Sequence, residues 1–135
     1  MKDDISSIFE TDLTNMAVGM VQEKKPWTVK GVYIGRYCNS GVCLFNLDYI
    51  REHKLDEQMI ELINGPRLNM PDQDIINYVC RDHIVFLDPK YNCSQHTNFN
   101  VPNQIIRHYT YRDKLWDHKN SAEWKEYYVE RLTNE

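Results

Sequence analysis

Gly41-Val42-Cys43-Leu44-Phe45-Asn46-Leu47 is a near-continuous apolar run. Such a run without polar alternation predicts a strand covered on both faces. Downstream the period changes: Leu55, Met59, Leu62 and Ile63 fall at helical spacing, and Gly65-Pro66 ends that helix. A second helix is predicted to begin near Pro71-Asp72-Gln73-Asp74, with Ile75, Ile76, Val79 and Cys80 as its buried stripe. Residues 83–87 read as a short strand, and residues 104–109 as another after a polar loop over 92–103. Upstream, residues 16–21 read as a strand broken by Lys24-Lys25-Pro26-Trp27, and residues 29–35 as a further extended segment. Ile5, Ile8 and Phe9 fit one amphipathic turn capped by Asp3 or Asp4. Near the end, Asn120 with Glu123 resembles a capping box, and Trp124, Tyr127, Tyr128 and Leu132 make the apolar side of a third helix. Helices alternating with short strands define the α/β class.

The 135 residues set an expectation of one domain, and a 41% hydrophobic content is enough for a core. A net charge of −4 and a pI of about 5.7 argue against a nucleic-acid or anionic-membrane binder, whose phosphate contacts need a basic face. No apolar run approaches the ~18 residues of a membrane span, and Met1-Lys2-Asp3-Asp4 is no signal peptide. A soluble, cytoplasmic protein is therefore expected. Cys38, Cys43, Cys80 and Cys93 show no zinc spacing. They are expected to pack as reduced, small apolar groups.

Ligands of α/β folds bind where strands end, so polar residues at such ends are the candidate chemistry. Tyr37-Cys38-Asn39-Ser40-Gly41 is either a turn or a place where the Asn39 amide and Ser40 hydroxyl meet a hydroxylated ligand. Asp72-Gln73-Asp74 either caps a helix or offers hard oxygen ligands to a cation, although residues two apart on a helix do not share a face. Gln73 can both donate and accept towards a sugar. His108 is either a satisfied structural histidine or a metal ligand, and Lys114, six residues on, can reach a diphosphate bound to that metal. Trp116, Trp124, Tyr127 and Tyr128 can stack on sugars, but their helical spacing favours packing. No G-x-S-x-G, Cys-His pairing signature or P-loop is present.

Taken together, these segments resemble a known family. Tyr37 to Leu47 resembles the F-N-[SA]-G-V-hydrophobic-hydrophobic-I-N-L block of glycosyltransferase family 8. Asp72-Gln73-Asp74-Ile75-Ile76-Asn77 resembles its D-Q-D block, and Phe86-Leu87-Asp88-Pro89-Lys90-Tyr91-Asn92 its L-P-x-x-[YF]-N stretch. Ile105-Ile106-Arg107-His108-Tyr109-Thr110, with Lys114 and Trp116, resembles its closing I-x-H-Y-x-G-x-x-K-P-W.

The resemblance implies a GT-A-like nucleotide-diphospho-sugar fold, a mixed sheet with flanking helices. It also implies retaining transfer of a hexose from a UDP-sugar to a glycan acceptor, in synthesis of lipopolysaccharide or another surface glycan. By position it makes His108 a ligand of a divalent metal, expected to be Mn2+, and Lys114 a diphosphate contact. Asn39 and Ser40 become donor-site residues, with Asp72 and Gln73 beside the transferred sugar.

Tyr111 stands where the family has glycine, and Leu115 replaces its proline. The family's metal-binding D-x-D and nucleoside-binding strands would lie upstream of Met1. The expectation is therefore that residues 1–135 form a single partial domain, the C-terminal half of the catalytic domain, weak or inactive alone. It would pair with a complementary N-terminal half or with a second copy across its exposed sheet edge. The competing expectation is a non-catalytic remnant that binds carbohydrate or protein.

Overall fold

The computed structural model of the chain describes residues 4–110 and Lys125. Apart from Lys125, the predicted third helix lies outside the described residues, as do Tyr111, Lys114, Leu115 and Trp116.

The centre is β1 (Val18–Gln22), which pairs antiparallel with β4 (Cys38–Phe45) and parallel with β5 (Ile84–Phe86). The resulting mixed three-stranded sheet has the order β4-β1-β5. Alternation along β1 serves two clusters. Val18 and Met20 join Cys38, Ile50, Leu55, Ile75 and Val79, which include the helices' contribution. Val21 joins Ile8, Leu87, Tyr91 and Ile105 in the other. Gly19 admits Leu87, whose Cδ2 would lie 3.0 Å from any Cβ there.

The strand covered on both faces is thus β1, not the apolar run around Gly41. β4 is an edge strand, with Val42, Cys43 and Leu44 half-buried and Gly41 and Phe45 exposed. It also begins earlier than the apolar pattern, at Cys38, so Asn39 and Ser40 lie in the strand rather than in a turn before it. It stops at Phe45 because the Asn46 side chain accepts the Tyr49 N–H at 3.1 Å. That bond caps a helix absent from the sequence expectation, α1 (Leu47–Glu52).

α2 (Leu55–Ile63) and α3 (Pro71–Val79) match the predicted helices, α3 with proline in its first turn. Residues 29–35 are not one extended segment. β2 (Trp27–Val29) and β3 (Val32–Ile34) form a hairpin whose turn residues, Lys30 and Gly31, have φ of 48° and 79°. Left-handed residues at both turn positions reverse the chain with the twist a hairpin needs. Residues 104–109 form no strand either. They make a single bridge, Cys93↔Arg107, because their neighbour is a 3-10 turn (Pro89–Tyr91) and the irregular chain after it.

Candidate functional site

β1 and β5 are parallel and β4 runs the other way. The carboxyl ends of β1 and β5 and the amino end of β4 therefore meet at one edge of the sheet, where α/β folds bind ligands. Glu23 follows β1, Asn39 and Ser40 begin β4, and Asn92 follows β5 by a short turn. Gln73 enters from the first turn of α3, and His108 from the segment bridged to Cys93.

The ladder register fixes this convergence. Met20 pairs with Cys43 but Val21 with Asn39, so Ser40, Gly41 and Val42 form a bulge with no partner on β1. A bulge re-aims the backbone beside it. Here the Ser40 and Gly41 N–H groups turn onto side chains: Ser40 N donates to Gln73 Oε1 at 3.0 Å and Gly41 N to Asn39 Oδ1 at 3.0 Å.

These two backbone donors set every amide in the site. With Asn39 Oδ1 held by Gly41, its Nδ2 donates to Glu23 Oε1 at 2.9 Å and Gln73 Oε1 at 3.1 Å. Gln73 Nε2 in turn donates to the same Glu23 oxygen at 3.0 Å. Asn92 Nδ2 donates to Asn39 Oδ1 at 2.9 Å, so Asn92 presents its Oδ1 to His108. His108 Nδ1 faces two carbonyl oxygens, Asn39 Oδ1 at 3.2 Å and Asn92 Oδ1 at 3.1 Å. A ring nitrogen between two acceptors carries the proton, which leaves the lone pair of the neutral ring on Nε2.

Asp72 and Asp74 part company, as residues two apart on a helix must. Exposed Asp72 accepts the Ser40 hydroxyl at 2.7 Å. Asp74, 2% exposed, turns inward. It accepts the Tyr37 hydroxyl at 2.6 Å and the Met70 N–H at 3.0 Å, a structural capping role. Burial, then the bond to Asp74, drives the Tyr37 hydroxyl far above its ordinary pKa. Asn77, fully buried, donates to Cys38 O and accepts from Cys38 N, both at 2.7 Å. Its amide stands in for a neighbouring strand and seats the start of β4 on α3.

Asn39, Ser40, Asp72, Gln73 and His108 are therefore joined in one network, while Lys114 lies outside the described residues. Glu23, Asn77 and Asn92 had no role assigned from sequence. Asn77 and Asn92 end two of the quoted blocks, which was the available signal; Glu23 had none. Asn39, Gln73 and His108 open onto a cavity of ≈ 620 Å³, lined also by Glu23, Lys24, Lys25, Trp27, Met70, Gln95, His96 and Thr110.

Among the described residues no three of His, Cys, Asp and Glu gather as a metal site, and the metal-ligand use expected of His108 would be that of a single donor. Its tautomer fits that use, since a ligating imidazole donates its other N–H to an oxygen. The four cysteines are free thiols. Burial pushes Cys38 and Cys80 up to about 12 and Cys43 up to about 11, so they are packing groups rather than nucleophiles.

An amide-lined cavity at the polar edge of a mixed α/β sheet is the kind of place where α/β folds bind ligands. The chain belongs to glycosyl transferase family 8, whose model matches residues 1–120. It is 27% identical to the lipopolysaccharide glucosyltransferase WaaO of Escherichia coli K12, over 72% of this chain and 36% of that protein. It is 26% identical to a lipopolysaccharide 1,2-glucosyltransferase of the same strain, over 85% of this chain and 40% of that protein. The fold is shared with a solved bifunctional glycosyltransferase, WbbM, at a TM-score of 0.65 and 17% identity. That match covers 85% of this chain and 28% of the other. The architecture is accordingly GT-A-like α/β, and the chain spans less than half the length of these relatives.

Proposed function

We propose that this domain takes part in retaining transfer of a hexose from a UDP-sugar to a surface glycan such as lipopolysaccharide. One observation carries the reading: Asn39, Ser40, Asp72, Gln73 and His108, drawn from three separate blocks of the family, are joined by hydrogen bonds, and Asn39, Gln73 and His108 line one cavity. Asn39 and Ser40 hold the donor, and Asp72 and Gln73 flank the sugar. Lys114 contacts the diphosphate. His108 serves through Nε2 as a ligand of Mn2+, which supplies neutralisation of the departing diphosphate when bound.

Transfer with retention proceeds on the front face. The acceptor oxygen bonds to the anomeric carbon as the carbon–oxygen bond to the diphosphate breaks, and the hydroxyl proton passes to the leaving oxygen. Gln73 is a poor nucleophile, so its part is to orient the sugar. The further metal ligands are proposed to come from a complementary segment, and transfer by this chain alone is expected to be weak or absent. Four free thiols agree with a reducing, cytoplasmic compartment.

Calorimetry with UDP and MnCl2 tests the site. Saturable binding that His108→Ala abolishes supports the reading. An absence of heat at millimolar UDP overturns it in favour of a non-catalytic carbohydrate- or protein-binding module.

A further inference from the structure

We infer that the loop and hairpin around Trp27 form a saccharide subsite for the acceptor glycan, an assignment that rests on the transferase reading above. Trp27 lines the ≈ 620 Å³ cavity that holds Gln73. It also lines a second groove of ≈ 270 Å³ bounded by Pro26, Thr28 and Tyr33. One indole thus connects the reacting site with the outer face of the hairpin.

Trp27 is 39% and Tyr33 69% exposed. Large aromatic surface left in water beside a cavity marks a binding site. The ligand that matches it here has flat apolar faces rimmed by hydroxyls, as a pyranose does. Glu23 and Lys25 line the same cavity as Trp27 and supply an acceptor and a donor for those hydroxyls.

The platform is held in place before any ligand arrives. The Trp27 ring lies 6.3 Å from that of Tyr37, which Asp74 fixes. Glu23 N donates to Tyr37 O at 2.8 Å and Lys24 N to His96 O at 2.9 Å. Lys24 Nζ reaches Gln95 O at 3.2 Å. A pre-ordered aromatic loses little freedom on binding. Trp27, Tyr33 and Lys25 are not among the residues assigned to the donor, and Glu23, which accepts from Asn39 and Gln73, joins the two halves of the one cavity.

The test measures two affinities on the full chain, one for UDP with MnCl2 and one for the deacylated core oligosaccharide of Escherichia coli lipopolysaccharide. Trp27→Ala is expected to weaken the oligosaccharide about tenfold and Tyr33→Ala about threefold. Trp27→Phe restores most of the loss, UDP affinity stays within about twofold, and thermal midpoints certify folding. Oligosaccharide binding that depends on Trp27 without UDP binding overturns the donor assignment but keeps the subsite. The subsite is overturned by oligosaccharide affinity indifferent to Trp27→Ala, by a parallel loss of UDP affinity, or by no oligosaccharide binding at millimolar concentration.

Discussion

Gly41 has no room for a side chain because His108 occupies it: a Cβ there would lie 2.0 Å from both Cε1 and Nδ1 of the imidazole. Gly41→Ala therefore displaces the ring and breaks its bonds to Asn39 and Asn92. The added methyl overpacks the seat of the ring, so stability is expected to fall by about 1–3 kcal/mol. UDP binding with MnCl2 is expected to weaken at least about tenfold. Wild-type affinity in a folded Gly41→Ala protein would show that His108 does not need this seat.

The orientation of His108 gives a spectroscopic prediction. Above the pKa of the ring, long-range proton–nitrogen spectra should show Nδ1 bearing the proton and Nε2 without it. Asn92→Ala removes one of the two oxygens facing Nδ1 and should raise the fraction of the other tautomer. A wild-type ring protonated on Nε2 contradicts the chain of amides described for the site.

Asn77 is expected to matter for folding rather than for ligand contact. Asn77→Ala strips both the N–H and the C=O of Cys38 of their partner. Each buried backbone group left unmade costs about 1–3 kcal/mol, so a loss of about 2–6 kcal/mol is expected in urea denaturation. A loss below about 1 kcal/mol means that water or a shifted backbone replaces the amide.

Tyr37→Phe keeps the ring against Trp27 but removes the shorter of the two bonds to the Asp74 carboxylate, leaving that from the Met70 N–H. The expected cost is about 1–3 kcal/mol in urea, since the lost bond ends on a buried carboxylate. If Asp74→Asn added to Tyr37→Phe costs as much again, the two groups are not coupled.

Alkaline pH should unfold the domain through its thiols. Cys38 and Cys80 are raised from 9.0 to about 12 by burial. A group raised in the folded state contributes its full stability below its unfolded pKa and loses it as pH climbs through the folded value. Urea midpoints should hold steady up to about pH 9 and then fall towards 12, with Tyr37 acting in the same direction. Native protein at pH 8 should resist thiol reagents; rapid labelling of Cys38 or Cys80 there contradicts the burial.

Much of this was legible in the sequence where local pattern and tertiary role coincide. Pro71 with an acidic turn announced α3, and the blocks around Asn39, Gln73 and His108 announced which residues meet. The failures share a cause. Apolar content alone could not tell that Gly19 and Val21, not Val42 and Leu44, occupy the middle of the sheet, because burial depends on strand order. Lys30-Gly31 hides a turn inside a β-rich stretch, since lysine is no ordinary left-handed residue. Asn46 falls within the apolar run by pattern, yet its amide caps α1. Glu23 is invisible without the fold, because the amides that bind it lie 16 and 50 residues away.

The three-residue bulge in β4 divides one strand between two employers. Cys38 and Asn39 before it pair with β1 and, with Ser40, also bond side chains of α3, while Cys43, Leu44 and Phe45 after it pair with β1 in a shifted register. Substitutions at Ser40 or Gly41, which have no partner on β1, can accumulate without moving Cys43, Leu44 or Phe45 out of step. Repair of the sheet can likewise proceed without disturbing the cavity. That slack makes the strand a place where change is tolerated rather than a fixed beam.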